Sequence, residues 1–274
     1  LPASSNRQSF LPLTIVTVTF NDRKRLAATL ADLAARAWFQ QVDYHIQDGG
    51  SSDGSIELID CFARRHTQVT WASESDAGIW DAMNRSVATV GRPWVLFLNA
   101  GDFLAPGFDP AVIQRNLDSN ENAIVYGDWI VDYPDAGIRR KLKPAPLEEL
   151  RHRMPLCHQA TMVPTEMMKE HPFDIDQLAA DFKFFHEAYA RAEQFKYVPG
   201  VIAIYEAGGI SDARRLAFAA SRIRVVRAGA GLSLDLIPMF VRELVNAVLS
   251  DSLRAVAPTL RDRIMARRHG LHRQ

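Results

Sequence analysis

Asp102 closes the run Pro93-Trp94-Val95-Leu96-Phe97-Leu98-Asn99-Ala100-Gly101-Asp102, a continuous apolar stretch that stops abruptly at an acidic turn. A second stretch, Val42 to Gln47, stops at Asp48-Gly49-Gly50-Ser51-Ser52-Asp53-Gly54-Ser55, and a third, Leu13 to Phe20, stops at Asn21-Asp22. Apolar runs bounded by turn residues fit strands covered on both faces, and in an open α/β sheet ligands sit at the carboxyl ends of such strands. Carboxylates gathered at one sheet edge would repel a diphosphate unless a divalent cation stood between them. Mg²⁺ or Mn²⁺ suits that place, taking oxygen from one or two carboxylates and from substrate phosphate. The chemistry these residues could do is therefore metal-bridged binding of a nucleotide. The chain has no GxxxxGK[ST], which excludes a Walker-type NTPase, and no GxGxxG after the first strand, which argues against a dinucleotide-binding protein.

The elements that must position these groups follow from periodicity. From Leu13 to Asp102 short β-rich runs alternate with helical ones, which predicts βαβ units and an α/β fold with a mostly parallel sheet flanked by helices. Asp22 is expected to cap a helix with Leu26, Leu30 and Leu33 on one face, and Ser52 or Asp53 to cap the next. A strand over Val69 to Ala72 precedes Ser75-Asp76-Ala77-Gly78 and a helix over Ile79 to Val90. Ala123 to Tyr133 and Ile138 to Lys143 read as a hairpin, Ala180 to Arg191 as a helix, and Phe195 to Val198 with Val201 to Ala207 as a last strand pair. Beyond Asp212 the chain reads as helical, with amphipathic segments at Leu232 to Leu249 and Leu253 to Met265 that Pro238 and Pro258 kink or break. The expected organisation is a domain over residues 1–211 and a helical extension over 212–274.

Composition narrows the partners. The 274 residues carry 32 basic and 32 acidic side chains, so no global field recruits nucleic acid. Cys61 and Cys157 belong to no CxxC pair or zinc-type cluster, which points to a reducing, cytoplasmic setting. No run of about 18 apolar residues is present to span a bilayer. Trp80, Tyr126 and Trp129 read as core aromatics before ligand stackers, and the Arg222, Arg224, Arg227 series reads as a solvated helix face.

Several segments occur in an ordered set: Thr17-Val18-Thr19-Phe20-Asn21, Gln47 to Ser55, Ser73-Glu74-Ser75-Asp76-Ala77-Gly78-Ile79-Trp80-Asp81-Ala82-Met83-Asn84, and Leu98-Asn99-Ala100-Gly101-Asp102. Tyr126-Gly127-Asp128, His158-Gln159, Ala179-Ala180-Asp181-Phe182 and Gly208-Gly209-Ile210-Ser211 continue it. This set resembles the family 2 glycosyltransferases over about residues 13 to 211, and most nearly those that build bacterial exopolysaccharide, colanic acid and lipopolysaccharide O-chains. The resemblance implies a GT-A fold that binds a UDP-, GDP- or dTDP-sugar and transfers the sugar with inversion to a glycan or lipid-linked acceptor. It implies donor-binding roles for Thr19, Asn21, Asp48, Gly49, Glu74, Asp76, Asp81, Asn84 and Asn99, a metal on Asp102 completed by His158, and Asp181 as the base. One departure stands out, because Ala100 occupies the place of the first aspartate of the usual DxD turn.

An inverting transfer needs one base to take the acceptor proton while negative charge supports the developing oxocarbenium ion, and a single carboxylate can serve both needs. The QxxRW element and membrane helices of processive synthases are absent, so one addition per encounter is expected. The C-terminal segments, with Leu234, Leu236, Ile237, Phe240, Leu244 and Val248 beside basic residues, suit either peripheral contact with the membrane or packing on the catalytic domain. Two other readings compete: a sugar nucleotidyltransferase, which should carry a glycine-rich loop where this chain has Asn21-Asp22-Arg23-Lys24-Arg25, and a non-catalytic nucleotide- or glycan-binding subunit, suggested by Ala100.

Overall fold

The computed structural model describes residues 11–118, 122–209, 214–230 and 236–271. Its spine is β1 (Leu13–Thr19), whose β-branched sequence LTIVTVT is buried at every position. Strands β2 (Asp43–Asp48) and β4 (Trp94–Phe97) pair with it in parallel on either side, and β3 (Val69–Ser73) extends the sheet beyond β2. Alternate residues of β1 feed two cores, as the two-residue period of a strand requires. Leu13 and Ile15 pack with Leu26, Leu30 and Leu33 of α1 (Arg23–Ala34) and Ile59 of α2 (Ser55–Ala63). Val16 and Val18 pack with Met83 and Val87 of α3 (Ile79–Thr89). Each such fully buried side chain contributes about 1.5–3 kcal/mol. Because α1 and α3 cover opposite faces, the connections diverge at the carboxyl ends of β1 and β4, where an open sheet leaves a crevice.

The second half of the sheet is mixed. The described residues form nine strands in the order β3-β2-β1-β4-β8-β6-β9-β5, with β7 on the free side of β6. Here β5 is Phe103–Leu104, β6 Ile124–Tyr133, β7 Ile138–Leu142, β8 Thr161–Pro164 and β9 Phe195–Glu206. Strand β8 runs antiparallel to both β4 and β6, which places the turn preceding it beside the end of β4. The β6–β7 hairpin is as expected. The expected strand pair is instead the single strand β9, parallel to β6, with a register shift opposite Tyr126 and Asp128. Gly200, at φ +134°, lets that strand bend without breaking.

Helices α4 (Val112–Asn116), α5 (Thr165–Glu170) and α6 (Ala180–Ala190) complete the body. The C-terminal region holds α7 (Arg215–Ala230), α8 (Ile237–Val256) and α9 (Pro258–Leu271). Both prolines stand in the first turn of a helix, where a missing N–H costs nothing, so they start helices and shift the expected boundaries. Leu232, Leu234, Ile210 and Ser211 lie outside the described residues. Ala179 and Phe182 share a buried cluster with Phe218, Val225 and Val226 of α7 and Phe240 of α8, so these helices pack on α6. Among the described residues no helix is long and apolar enough to cross a membrane.

Candidate active site

The ends of β1, β2 and β3 lie in one register row, Thr19 beside Asp48 and Asp48 beside Ser73. Asp48 is fully buried and one carboxylate oxygen takes three hydrogen bonds: from the backbone N–H of Gly50 (3.0 Å) and of Ser51 (2.8 Å), and from the Ser73 hydroxyl (2.6 Å). Its Oδ1 is left without a partner, as are the buried Thr19 Oγ1 and Asn99 Oδ1. Buried acceptors are rarely orphaned, and several at neighbouring strand ends describe a place built for a donor-bearing ligand.

Asn21, at φ +48°, ties two loops together: its N–H donates to Ser51 Oγ (2.7 Å) and its Oδ1 accepts from Ser52 N–H (2.8 Å). Asp22 stands at the N-cap of α1 but makes no capping bond. Asp53 does that work from across the loop, with Oδ2 accepting from Arg23 N–H (2.9 Å) while Oδ1 accepts from Ser55 N–H (3.0 Å). Gly49 is closely approached by side chains, since a Cβ there would stand 2.8 Å from Asp76 Oδ2 and 3.2 Å from Phe20 Cδ2.

In the segment leading into α3, Glu74 pairs with Arg85 (3.2 Å) and Asp76 Oδ1 accepts from Gly78 N–H (2.9 Å). Asp81 accepts from Ala77 N–H (2.9 Å) and pairs with Arg85 (2.8 Å), and those bonds, the backbone one foremost, hold its carboxyl below the usual range. Asn84 clamps the backbone of Phe173 from both sides, Nδ2 donating to its carbonyl (2.8 Å) and Oδ1 accepting from its N–H (2.9 Å). Asp81 and Asn84 therefore hold internal structure, whereas the strand-end groups keep open valences.

Asp102 is buried, and burial pushes its carboxyl up to about 7, although Arg25 nearby and the Gln159 amide act against the shift. Gln159 Nε2 lies 3.4 Å from its Oδ2. Thr29 of α1 clamps the turn, its hydroxyl accepting from Gly101 N–H (2.9 Å) and lying 3.1 Å from the Asp102 carbonyl. Gly101 has φ +91°, and a Cβ there would collide with the Arg25 guanidinium. Arg25 and Thr29 escape sequence reading because each is a lone residue in α1 with no local pattern to mark it, and Gln159, though inside the quoted His158-Gln159 segment, carries nothing there that points to Asp102.

His158 stacks on Phe97 with ring centroids 5.3 Å apart, and Trp80, Phe173 and Phe185 surround it. Both ring nitrogens are buried and unpartnered, and burial lowers its pKa to about 4, so the imidazole is neutral at physiological pH. Asp181, in the first turn of α6, accepts from Phe182 N–H (2.8 Å); burial raises its pKa while Phe182 N–H and the Arg222 charge pull it down. Arg222 is half-buried and pairs with Glu243 of α8, so it is no solvated-face residue; Arg224 and Arg227 are exposed as expected. Tyr126 and Trp129 are core residues. The two acids meet electrostatically at the intervening turn, since burial raises the Cys157 thiol to about 12 with the charges of Asp102 and Asp181 adding to the shift. Cys157 thus lies within electrostatic range of both the strand-end carboxylate and the helix carboxylate, and Gln159 reaches the first of them.

The described residues contain no group of three or more His, Cys, Asp and Glu side chains placed to hold a metal ion by themselves. Asp102, a carboxylate buried without a full counter-charge, and His158, a neutral imidazole with unused nitrogens, nonetheless offer the oxygen and nitrogen donors that a divalent ion such as Mn²⁺ accepts.

Known proteins resemble this chain in family and in fold. The family model described as Glycosyl transferase family 2 matches residues 14–174. A PGL/p-HBAD biosynthesis glycosyltransferase of Mycobacterium bovis is 28% identical over 204 residues, covering 72% of this chain and 78% of that protein. An uncharacterised glycosyltransferase of Mycobacterium tuberculosis is 25% identical over 181 residues, 63% of this chain and 66% of its own length. Among solved structures, the mannosyltransferase PcManGT from Pyrobaculum calidifontis in complex with GDP-Man and Mn²⁺ superposes with a TM-score of 0.63 at 13% identity, covering 96% of this chain and 80% of that one. S. aureus TarS gives a TM-score of 0.60 at 14% identity, and the match spans 88% of this chain but only 43% of TarS. These likenesses show the fold, a GT-A-like α/β architecture.

Proposed function

Because the chain belongs to glycosyl transferase family 2 and has the GT-A-like fold, and so is a glycosyltransferase, we propose that it moves one sugar, with inversion, from a nucleotide-diphosphate donor to a glycan or lipid-linked acceptor of a bacterial surface polysaccharide or glycolipid. The observation that carries this reading is that the buried Asp102 and the half-buried Asp181 both act on Cys157, with the orphaned acceptors of Thr19, Asp48 and Asn99 at the adjoining strand ends. Asp48 and its neighbours receive the nucleoside, where unused acceptors meet base or ribose donors. Gly49 and Asp76 close the same end of the crevice. Asn21, Glu74, Asp81 and Asn84 act on the donor through the loops they brace.

In the reaction, Asp181 takes the proton of the acceptor hydroxyl, that oxygen bonds to the anomeric carbon, and the carbon–oxygen bond to the diphosphate breaks on the opposite face. The raised pKa of Asp181 makes it a stronger base than an exposed carboxylate, and general-base help of this kind contributes roughly two to four orders of magnitude. A divalent ion held by Asp102 and His158 would supply charge neutralisation of the leaving diphosphate. With Ala100 in place of a second acid, Asp102 would be the only carboxylate that this turn offers such an ion. The family match leaves the nucleotidyltransferase reading without support. The residues work in the cytoplasm, where the donor is met.

The test is product stereochemistry together with Asp181→Asn. Inversion at the anomeric carbon, with turnover reduced roughly a hundredfold or more at unchanged donor affinity, is expected. Retention of configuration, or an Asp181→Asn enzyme of full activity, contradicts the assignment. A wild-type protein that binds donor without turning it over returns weight to the non-catalytic subunit.

A further inference from the structure

Charge is divided along this neutral chain. Residues 212–274 hold twelve arginines and five acids, which leaves twenty basic against twenty-seven acidic residues before them. The structure sharpens that division. In α7 to α9 and the residue before α7, the exposed charged side chains among those described are all arginines: Arg214, Arg224, Arg227, Arg242, Arg263 and Arg267. Asp262 is buried and Glu243 and Asp251 are half-buried.

Helix α8 carries a second anomaly. Of the apolar residues singled out in the sequence, Phe240 is buried and Leu244 half-buried; the outward face is Ile237, Val241, Val245, Val248 and Leu249, each 44–54% exposed. These positions recur at the three- and four-residue spacing of one helix face. No propensity argument explains three valines on a solvated helix, since β-branched residues are poor helix formers. Arg242 borders the stripe, and on α9 the exposed Leu260 shares its face with Arg263 and Arg267.

We propose that this arginine-flanked face of α8, with α7 and α9 beside it, docks on an anionic lipid surface. Aliphatic side chains that enter the acyl boundary, ringed by cations and free of exposed acids, are what an interfacial helix needs. A protein partner would be met instead by aromatic anchors in a pocket, and the stripe has none. The face also adjoins the chemistry: Glu243 on the inner side of α8 pairs with Arg222, whose charge acts on Asp181. Under the function proposed above, on which this clause alone rests, docking would present the base to a lipid-linked acceptor.

The experiment is flotation of the 274-residue chain with phosphatidylcholine vesicles, with and without phosphatidylglycerol, and donor hydrolysis measured separately without lipid. The wild type is expected to float only with the anionic vesicles and to be released by salt. Replacing Arg224, Arg227 and Arg242 together by Gln should weaken binding roughly a hundredfold, and Val245→Gln with Val248→Gln should abolish it. Neither variant should change hydrolysis in solution. Failure to bind anionic vesicles overturns the proposal, and so does binding that both variants leave intact. Sedimentation that shows a dimer dissolved by Val245→Gln with Val248→Gln, without vesicle binding, also overturns it in favour of a second copy. Because hydrolysis is read apart from flotation, loss of the docking surface and loss of the transferase reading give different results.

Discussion

At Asp102 burial and charge oppose one another. Desolvation drives the carboxyl up to about 7, and Arg25 and Gln159 recover only part of the charged form. A group so placed is poorly suited to structure and well suited to a cation, the reverse of Asp81, whose partners satisfy it within the fold. Asp181 presents the same contrast with its own partners: Arg222 is the neighbouring charge that lowers its pKa. Removing that cation raises the Asp181 pKa, so a higher pH is needed to ionise the base. Arg222→Gln should therefore shift the acidic limb of the pH–rate profile to higher pH, with the plateau retained; a limb that stays in place, or moves to lower pH, would separate Arg222 from the base. Gly49 tests the nucleoside end. Both groups that a Cβ would meet are movable side-chain ends, so Gly49→Ala should cost only about 1 kcal/mol in stability while raising the donor KM by displacing Asp76. An unchanged KM would remove Asp76 from the donor site.

Among the elements, β1 to β4, the β6–β7 hairpin and the first three helices were legible because their apolar periods are strong and their ends carry turn residues, whereas β5 and β8, two and four residues long, are too short to show a period. Asp48 and Asp102 were legible for the same reason, as acids that stop apolar runs. What periodicity could not show was pairing between distant segments. Phe195 to Glu206 reads as two strands around Pro199-Gly200, yet the long partner β6 holds both halves in one strand. Asp22 has the right type and place for a cap, and the loop geometry gives that role to Asp53. Asn84 reads as a donor ligand inside a recognisable segment, and no local pattern shows that it also bonds the Phe173 backbone and fastens α3 to the loop before α6. Asn84→Ala leaves two backbone groups of Phe173 without that partner, at a cost of about 1–3 kcal/mol. Differential scanning calorimetry should show a melting temperature lower by several degrees, with ligand binding weakened only as far as the α3 loop loosens. A melting temperature equal to wild type would mean that the clamp contributes nothing.

The whole molecule divides its tasks between two halves of one sheet. The parallel half, β3-β2-β1-β4, gathers Thr19, Asp48 and Ser73 in a row and opens a crevice at the end of β4. The mixed half brings the Cys157–Gln159 turn up to Asp102, and Asp181 of α6 acts on the same turn through its charge. The C-terminal helices pack on α6 and reach Asp181 through Arg222 and Glu243, so they adjoin the candidate site as well as forming a surface of their own. The central claim is that the buried acid of the strand-end turn holds a metal-bridged nucleotide sugar even though Ala100 replaces the first aspartate. Titration calorimetry of UDP-, GDP- and dTDP-sugars, with and without Mn²⁺, on wild type and Asp102→Ala tests it most directly. The account predicts that one nucleotide class binds the wild type, that Mn²⁺ strengthens this binding, and that Asp102→Ala abolishes the Mn²⁺ effect. Binding that ignores both Mn²⁺ and Asp102, or no binding of any of the three, would contradict it.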